Sequence, residues 1–263
     1  MSAWLLYLAL GVFAGGLAGL LGVGGGLVIV PMLTFIFTAR QMPAEHVLHL
    51  ALGTSMASIM FTSISSLRAH HLRGAVDWSV VRRITPGILI GTFCGTWVAA
   101  QLSTGFLKVF FVLFTYYVAA QMLLNIQPHP HRQLPGSVAL CGVGGMIGGV
   151  SSLVGIGGGS MSVPFLIWCN VAMYNAIGTS AAIGFPIALA GTAGYAINGL
   201  TAILPAHTVG FVYLPALLGI SAASMLIAPL GAKLAHSLPI ARLKKIFALL
   251  LIVMGTKMLL SLF

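Results

Sequence analysis

Acidic residues are almost missing: Glu45 and Asp77 are the only two, against twelve Lys and Arg and eight His. That scarcity works against a hard-cation site, which wants several carboxylate oxygens, and against an embedded carboxylate relay for protons. It also works against an enzyme built on paired acids. Charge of either sign is scarce too. Only 5% of residues are charged, where a soluble domain has about a quarter, while 59% are apolar and the mean hydropathy is +1.08. Such a chain cannot solvate itself as a globule. Cys94, Cys141 and Cys169 are an odd number placed in or beside apolar segments, which suits small buried hydrophobes better than a disulfide framework or a metal site. There is no G-x-S-x-G, and Gly22 to Leu27 ends on Leu where a dinucleotide fingerprint needs Gly. Neither an enzyme nor a cofactor is expected.

What the chain has in abundance is apolar length. From Met1 to Ala39 no side chain is charged, and further apolar stretches begin near Val47, Ile84, Gly105, Ser137, Ala176, Thr208 and Leu243. Each approaches or exceeds the roughly 20 residues that span a bilayer as helix. The N-terminus has no charged n-region, so no removable signal peptide is expected. The excess of basic residues falls in the loops, where membrane topology places it, so nucleic acid is not an expected partner.

The stretch GGLAGLLGVGGGLVIVPML, Gly15 to Leu33, returns as GGVSSLVGIGGGSMSVPFL, Gly148 to Leu166. Gly53-Thr54-Ser55 in the second segment is answered by Gly178-Thr179-Ser180 in the sixth. The chain therefore reads as two copies of one unit: residues 1–127, a Pro-rich linker 128–136, and residues 137–263. The first segment, Ala3 to Thr38, is too long for one crossing, since 36 residues make about 54 Å of helix against a hydrocarbon core of roughly 30 Å. It is predicted to break at Gly22 to Gly26, and its copy, Ser137 to Ile167, at the matching glycines. Gly11, Gly15 and Gly19 ahead of the break read as helix packing.

Orientation follows from Lys and Arg. If each half crosses four times, they divide evenly between the two faces. If each broken segment returns to the face it left, Arg68, Arg73, Arg82, Arg83, Arg132, Lys233, Arg242, Lys244 and Lys245 gather on one face, leaving Arg40, Lys108 and Lys257 on the other. The second arrangement satisfies the positive-inside rule. The expected fold is an all-α polytopic membrane protein of two inverted repeats, with eight apolar segments, about ten helices and both termini outside.

Inverted repeats with broken helices are the usual build of a secondary transporter. At each break a helix restarts, and its unbonded N–H groups and dipole favour an anion. The candidate substrate site is Gly24, Gly25 and Gly26 with Gly157, Gly158, Gly159 and Ser160, completed by the hydroxyls of Thr54, Ser55, Thr179 and Ser180. For any one of these residues, packing is the commoner use; their paired recurrence is what favours a shared site. None of these donors carries a full charge, which suits an anion that must also be released. An inside-negative potential favours anion export by roughly 2.3 kcal/mol per charge per 100 mV, so uniport or weakly proton-linked export is expected. His49, at the start of the second segment, reads as an interfacial anchor before a proton carrier. A metal permease, suggested by His70-His71 and His129-Pro130-His131, and a purely structural scaffold are the remaining readings. The first has its histidines in loops and at interfaces with almost no acidic oxygen ligands, and the second does not explain the doubled breaks.

The doubled glycine motif with its trailing proline (GVGGGLVIVP and GIGGGSMSVP), the GTS of the following helix, and Val76-Asp77-Trp78 after a basic loop resemble the TauE/SafE family of sulfite exporters. The likeness runs along nearly the whole chain. It implies an inner-membrane permease for sulfite, sulfonates, thiosulfate or a related organic acid anion. The expected partners are that small anion and membrane lipid, with a homodimer allowed for.

Overall fold

The computed structural model describes residues 3–21, 25–124, 132–234 and 240–261. Ten helices and one small hairpin account for most of them. The first half holds α1 (Ala3–Leu21), α2 (Gly26–Ala39), α3 (Val47–His71), α4 (Trp78–Gln101) and α5 (Thr104–Leu123). The second holds α6 (Ser137–Val154), α7 (Gly159–Trp168), α8 (Met173–Asn198), the strands β1 (Thr208–Val209) and β2 (Val212–Tyr213), α9 (Leu214–Leu234) and α10 (Ile240–Leu260).

Each long glycine-bearing segment does break. The first splits into α1 and α2, and its copy into α6 and α7. With 14 and 10 residues, α2 and α7 are about 21 and 15 Å long, too short to cross a roughly 30 Å core. Both fold back to where their segment began. The Arg40 guanidinium, just past α2, donates to the Tyr7 hydroxyl near the start of α1 at 3.1 Å. The Arg132 amide, just ahead of α6, donates to the Trp168 carbonyl at the end of α7 at 3.3 Å.

Small residues set the tightest helix pairs. α4 lays Gly87, Gly91 and Gly95 along α6, where added Cβ atoms would run into Cys141, Gly145 and Ser152. α1 lays Gly11 and Gly15 along Ile220 and Ser224 of α9 in the same way. Without a hydrophobic drive between helices in lipid, this close backbone approach is the main source of packing energy.

The neighbours correspond between halves. α1 packs on α9 and α6 on α4; α3 packs on α9 and α8 on α4; α3 meets α8, and α5 meets α10. Directions follow from the contacting residues. Going up α3, Thr54, Thr62 and Ser65 meet Tyr213, Ser224 and Met225, so α3 runs parallel to α9. Gly53 faces Tyr195 and Gly191 faces Met56, so α3 and α8 are antiparallel. Lys108 reaches Ser261 and Tyr116 reaches Thr256, so α5 and α10 are antiparallel too. One end of the bundle therefore gathers Arg68, Arg73, Arg82, Arg83, Arg132, Lys233, Arg242, Lys244 and Lys245. The other carries Arg40, Lys108 and Lys257.

α3 and α8 form the centre, while α1, α4, α5, α6, α9 and α10 turn bare apolar side chains outward, among them Trp97, Leu113, Met146, Leu226 and Leu249. The interior is the more polar part: Thr54, Ser55, Ser58, Thr62, Ser63, Thr92, Ser151, Ser162, Thr179 and Ser180 are all buried. Apolar outside and hydroxylated inside is the inverse of a soluble protein, and so much contiguous exposed apolar surface needs lipid to cover it. Among the described residues, α3, α5, α6, α8 and Leu214–Gly231 of α9 are each long and apolar enough to cross a membrane unaided.

Two boundaries differ most from the sequence expectation. The third segment begins at Trp78, not near Ile84, because the Asp77 carboxylate accepts from the Ser79 and Val80 amides and caps α4 ahead of Arg82 and Arg83. Hydropathy marks where charge stops, and the capped helix starts a turn and a half earlier. The seventh segment opens with the Thr208–Tyr213 hairpin, and helix begins only at Leu214. Gly210, at φ 52°, turns that hairpin and lies against the backbone of Ala196.

Candidate functional site

Restarting a helix inside a bundle needs a residue that reverses the backbone at little cost. Gly25 (φ 71°, ψ −15°) and Gly158 (φ 75°, ψ −8°) do this in the two copies with nearly the same left-handed geometry. The Gly25 carbonyl then takes the Val28 and Ile29 amides, and the Gly158 carbonyl those of Met161 and Ser162. The first two amides of each helix, Gly26 and Leu27 on α2 and Gly159 and Ser160 on α7, have no intrahelical carbonyl to bond.

The two breaks touch each other. Gly26 lies so close to Gly155 that a Cβ on it would overlap the Gly155 carbonyl oxygen and press on Ile156 Cα. The same carbonyl accepts the Ser55 hydroxyl of α3 at 2.8 Å. On the other side, the Ser180 hydroxyl of α8 meets the Ser162 hydroxyl of α7 at 2.6 Å, and Ser162 also reaches the Gly158 carbonyl at 3.0 Å. The serines of both GTS motifs are thus held against the broken helices. Ser160, the second residue of α7, is buried with a hydroxyl that has no hydrogen-bond partner. So is Ser151 of α6, whose oxygen lies 3.4 Å from the place of a Cβ on Gly158. Gly157 lines a crevice between α3 and α8. Gly24 lies outside the described residues.

The threonines of the two motifs do something the sequence did not suggest. Thr54 Oγ1 accepts the Tyr213 amide at 2.9 Å, and Thr179 Oγ1 accepts the Asp77 amide at 2.9 Å. Each threonine fixes the start of a helix in the other half, α9 or α4. Thr54→Val keeps the shape but leaves a buried amide unpaired, which is expected to cost about 1–3 kcal/mol. Thr179→Val, whose partner is only half-buried, should cost less. Thermal melts of the purified variants check the order, with Thr54→Ser restoring most of the loss.

Ser151 and Ser162 are not among the candidates read from the sequence. Their signal is visible in the second copy of the motif, where VSSLVG stands for LAGLLG and SMSVP for LVIVP. His49 is buried at the foot of α3, with Nε2 3.0 Å from the Ala99 carbonyl and its ring 5.1 Å from that of Phe211, which fits an anchor. Among the described residues no Asp, Glu, Lys or Arg is buried, and no three His, Cys, Asp or Glu gather as metal ligands. The centre is built from neutral donors: hydroxyls, helix-start amides and their dipoles.

Comparison with known proteins gives a family. The family model for "Sulfite exporter TauE/SafE" matches residues 7–258. A probable membrane transporter protein of Haemophilus influenzae is 39% identical over 98% of both chains. A probable membrane transporter protein of Methanocaldococcus jannaschii, MJ0441, is 29% identical over 97% of this chain and 95% of its own. YunE of Bacillus subtilis, with the same description, is 28% identical over 75% and 80%. No solved structure matches.

Proposed function

The chain belongs to the sulfite exporter TauE/SafE family of membrane transporters, and we propose that it exports a small anion, sulfite or an organosulfonate, by alternating access about the meeting point of its two glycine breaks. The observation that carries this reading is the contact of Gly26 with Gly155. It sets the start of α2 against Gly155, which ends α6 four residues before α7 restarts at Gly159, and each restarting helix has first-turn amides without an intrahelical carbonyl and a dipole that favours negative charge. The proposed ligands are Gly24 to Gly26, Gly157 to Gly159 and Ser160, with Ser55 and Ser180 holding the breaks and Thr54 and Thr179 holding the helices behind them. Neutral donors in an interior without buried full charge bind an anion loosely enough to let it go.

Residues 1–127 and 137–263 are read as inverted repeats joined by 128–136. Support comes from the swapped helix neighbours and from matched helices that run in opposite directions. With the arginine-rich end in the cytoplasm, both termini of this bacterial-type inner-membrane permease face outward. Transport without chemical conversion of the anion is the activity assigned.

The test is uptake of labelled sulfite into proteoliposomes under an imposed potential, with sulfonates, thiosulfate, sulfate, chloride and small carboxylates as competitors. Saturable, voltage-sensitive flux blocked by sulfur oxyanions is the expected result. Block by carboxylates alone would move the substrate to the organic acids. Strict dependence on sodium would overturn the uniport reading.

A further inference from the structure

The duplication lets each wall of the central path be compared with its own copy. Between α3 and α8, toward the arginine-rich end and beside Ala18 of α1, lies a small crevice of about 20 Å³ whose wall combines the hydroxyl-bearing Thr62, Ser63, Ser66 and Ser180 with Ile59, Ala181 and Gly184, and which reaches Gly157 of the second break. The GTS motifs set the register between the two central helices, Thr54 to Thr179. In that register Thr62 and Ser63 of α3 correspond to Ile187 and Ala188 of α8, and Ala181 of α8 corresponds to Met56 of α3. Where a matching crevice would open toward the opposite end, Met56 and Ile187, larger than Ala181 and Thr62, fill the space. Met56 and Ile187 are both fully buried; Met56 Sδ lies 3.0 Å from the place of a Cβ on Gly191, and Ile187 Cδ1 closes on Gly158. Beyond them that end is shut by Phe211 and Tyr195 against Gly53, with the Tyr195 hydroxyl donating to the Ser152 carbonyl at 2.8 Å.

We infer that the hydroxyl-lined crevice is the mouth through which the anion reaches the glycine breaks from the arginine-rich end, and that Met56 and Ile187 are the apolar gate on the opposite side. The physical basis is the difference between two walls that began as one sequence. One wall carries four hydroxyls among small residues and Ile59, with Thr62 and Ser63 resting on carbonyls of their own helix at 2.9 Å, from which they can turn to an anion. Its counterpart offers thioether and isobutyl-sized groups, which exclude an anion and its water by giving them no hydrogen-bond partner. The arginine-rich loop beside the mouth, with Arg68 at the end of α3, raises the local anion concentration. This inference rests on the anion-transport reading above, yet it makes a claim about access that does not need the substrate.

The test is therefore labelling. In a background with Cys94, Cys141 and Cys169 replaced by alanine and shown to be monodisperse, single variants Ser63→Cys and Ala188→Cys are treated with a membrane-impermeant thiol reagent in vesicles of both orientations. Leu72→Cys and Ala39→Cys mark the two faces. Ser63→Cys should react from the face of Leu72 only, and Ala188→Cys from neither. Adding Met56→Ala and Ile187→Ala should raise labelling of Ala188→Cys from the face of Ala39 at least roughly tenfold, while Met56→Leu, which conserves volume, should leave it protected. Protection of Ser63→Cys, or equal labelling of Ala188→Cys with the gate intact, overturns the inference. Correct labelling with no flux of any anion would keep the route and sink the anion reading. Flux without the labelling pattern would do the reverse.

Discussion

Gly26→Val is expected to abolish sulfite flux and to lower the yield of folded protein sharply. The added Cβ would overlap the Gly155 carbonyl oxygen and lie 2.9 Å from Ile156 Cα, and both are backbone atoms. A side chain in the way can rotate; a carbonyl held by its own turn and by the Ser55 hydroxyl cannot. Overpacking of a core costs typically 1–3 kcal/mol, and this site belongs at the top of that range or beyond it, a large share of the roughly 5–15 kcal/mol that holds a domain folded. Gly26→Ala tests the graded form: the breaks must part by several tenths of an ångström, so protein should survive while flux falls steeply. Gly142→Ala is the control, since a Cβ there meets nothing within 4 Å on its exposed face of α6. Flux per monodisperse molecule, from size-exclusion and proteoliposome uptake together, is the measurement. Wild-type flux in Gly26→Ala would show that the two breaks need not touch for transport.

Much of this arrangement was legible because duplication repeats its own evidence. A single GGG in an apolar helix is a packing site as readily as a break; two of them at one offset, each followed by proline, locate both breaks. Counting Lys and Arg favours broken segments that return to the face they left, and α2 and α7 do fold back. Legibility ended where a residue's partner comes from the other half. The hydroxyls of Thr54 and Thr179 fall beside the breaks in sequence logic, but each is engaged by an amide more than a hundred residues away, at Tyr213 and Asp77. The hairpin at Thr208–Tyr213 was hidden for a different reason: a few β-branched and aromatic residues at the head of an apolar run carry no period by which strand and helix can be told apart. The contrast of Thr62 with Ile187 was present in the sequence throughout. It acquires meaning only when α3 and α8 are seen to face each other across the path.

Ser160→Ala separates a binding role from a packing role, because the two push different observables in opposite directions. The Ser160 hydroxyl is buried at the start of α7 without a hydrogen-bond partner. For folding alone that is a liability, since a buried unpaired hydroxyl forfeits its hydrogen bonds to water, worth about 1–3 kcal/mol. Removing it should raise the melting temperature of the purified protein or leave it unchanged. If the hydroxyl is instead kept to donate to the anion beside the amides of Gly159 and Ser160, the same change removes a hydrogen bond to a charged group, worth about 1.5–3 kcal/mol. Each 1.4 kcal/mol is about tenfold in affinity, so the concentration of sulfite giving half-maximal flux should rise by roughly tenfold or more. Ser160→Thr, which restores the donor, should recover most of it. A protein that gains stability and loses affinity at one atom was carrying that atom for its ligand. Stability gained with affinity intact would remove Ser160 from the site and leave the helix-start amides to hold the anion by themselves.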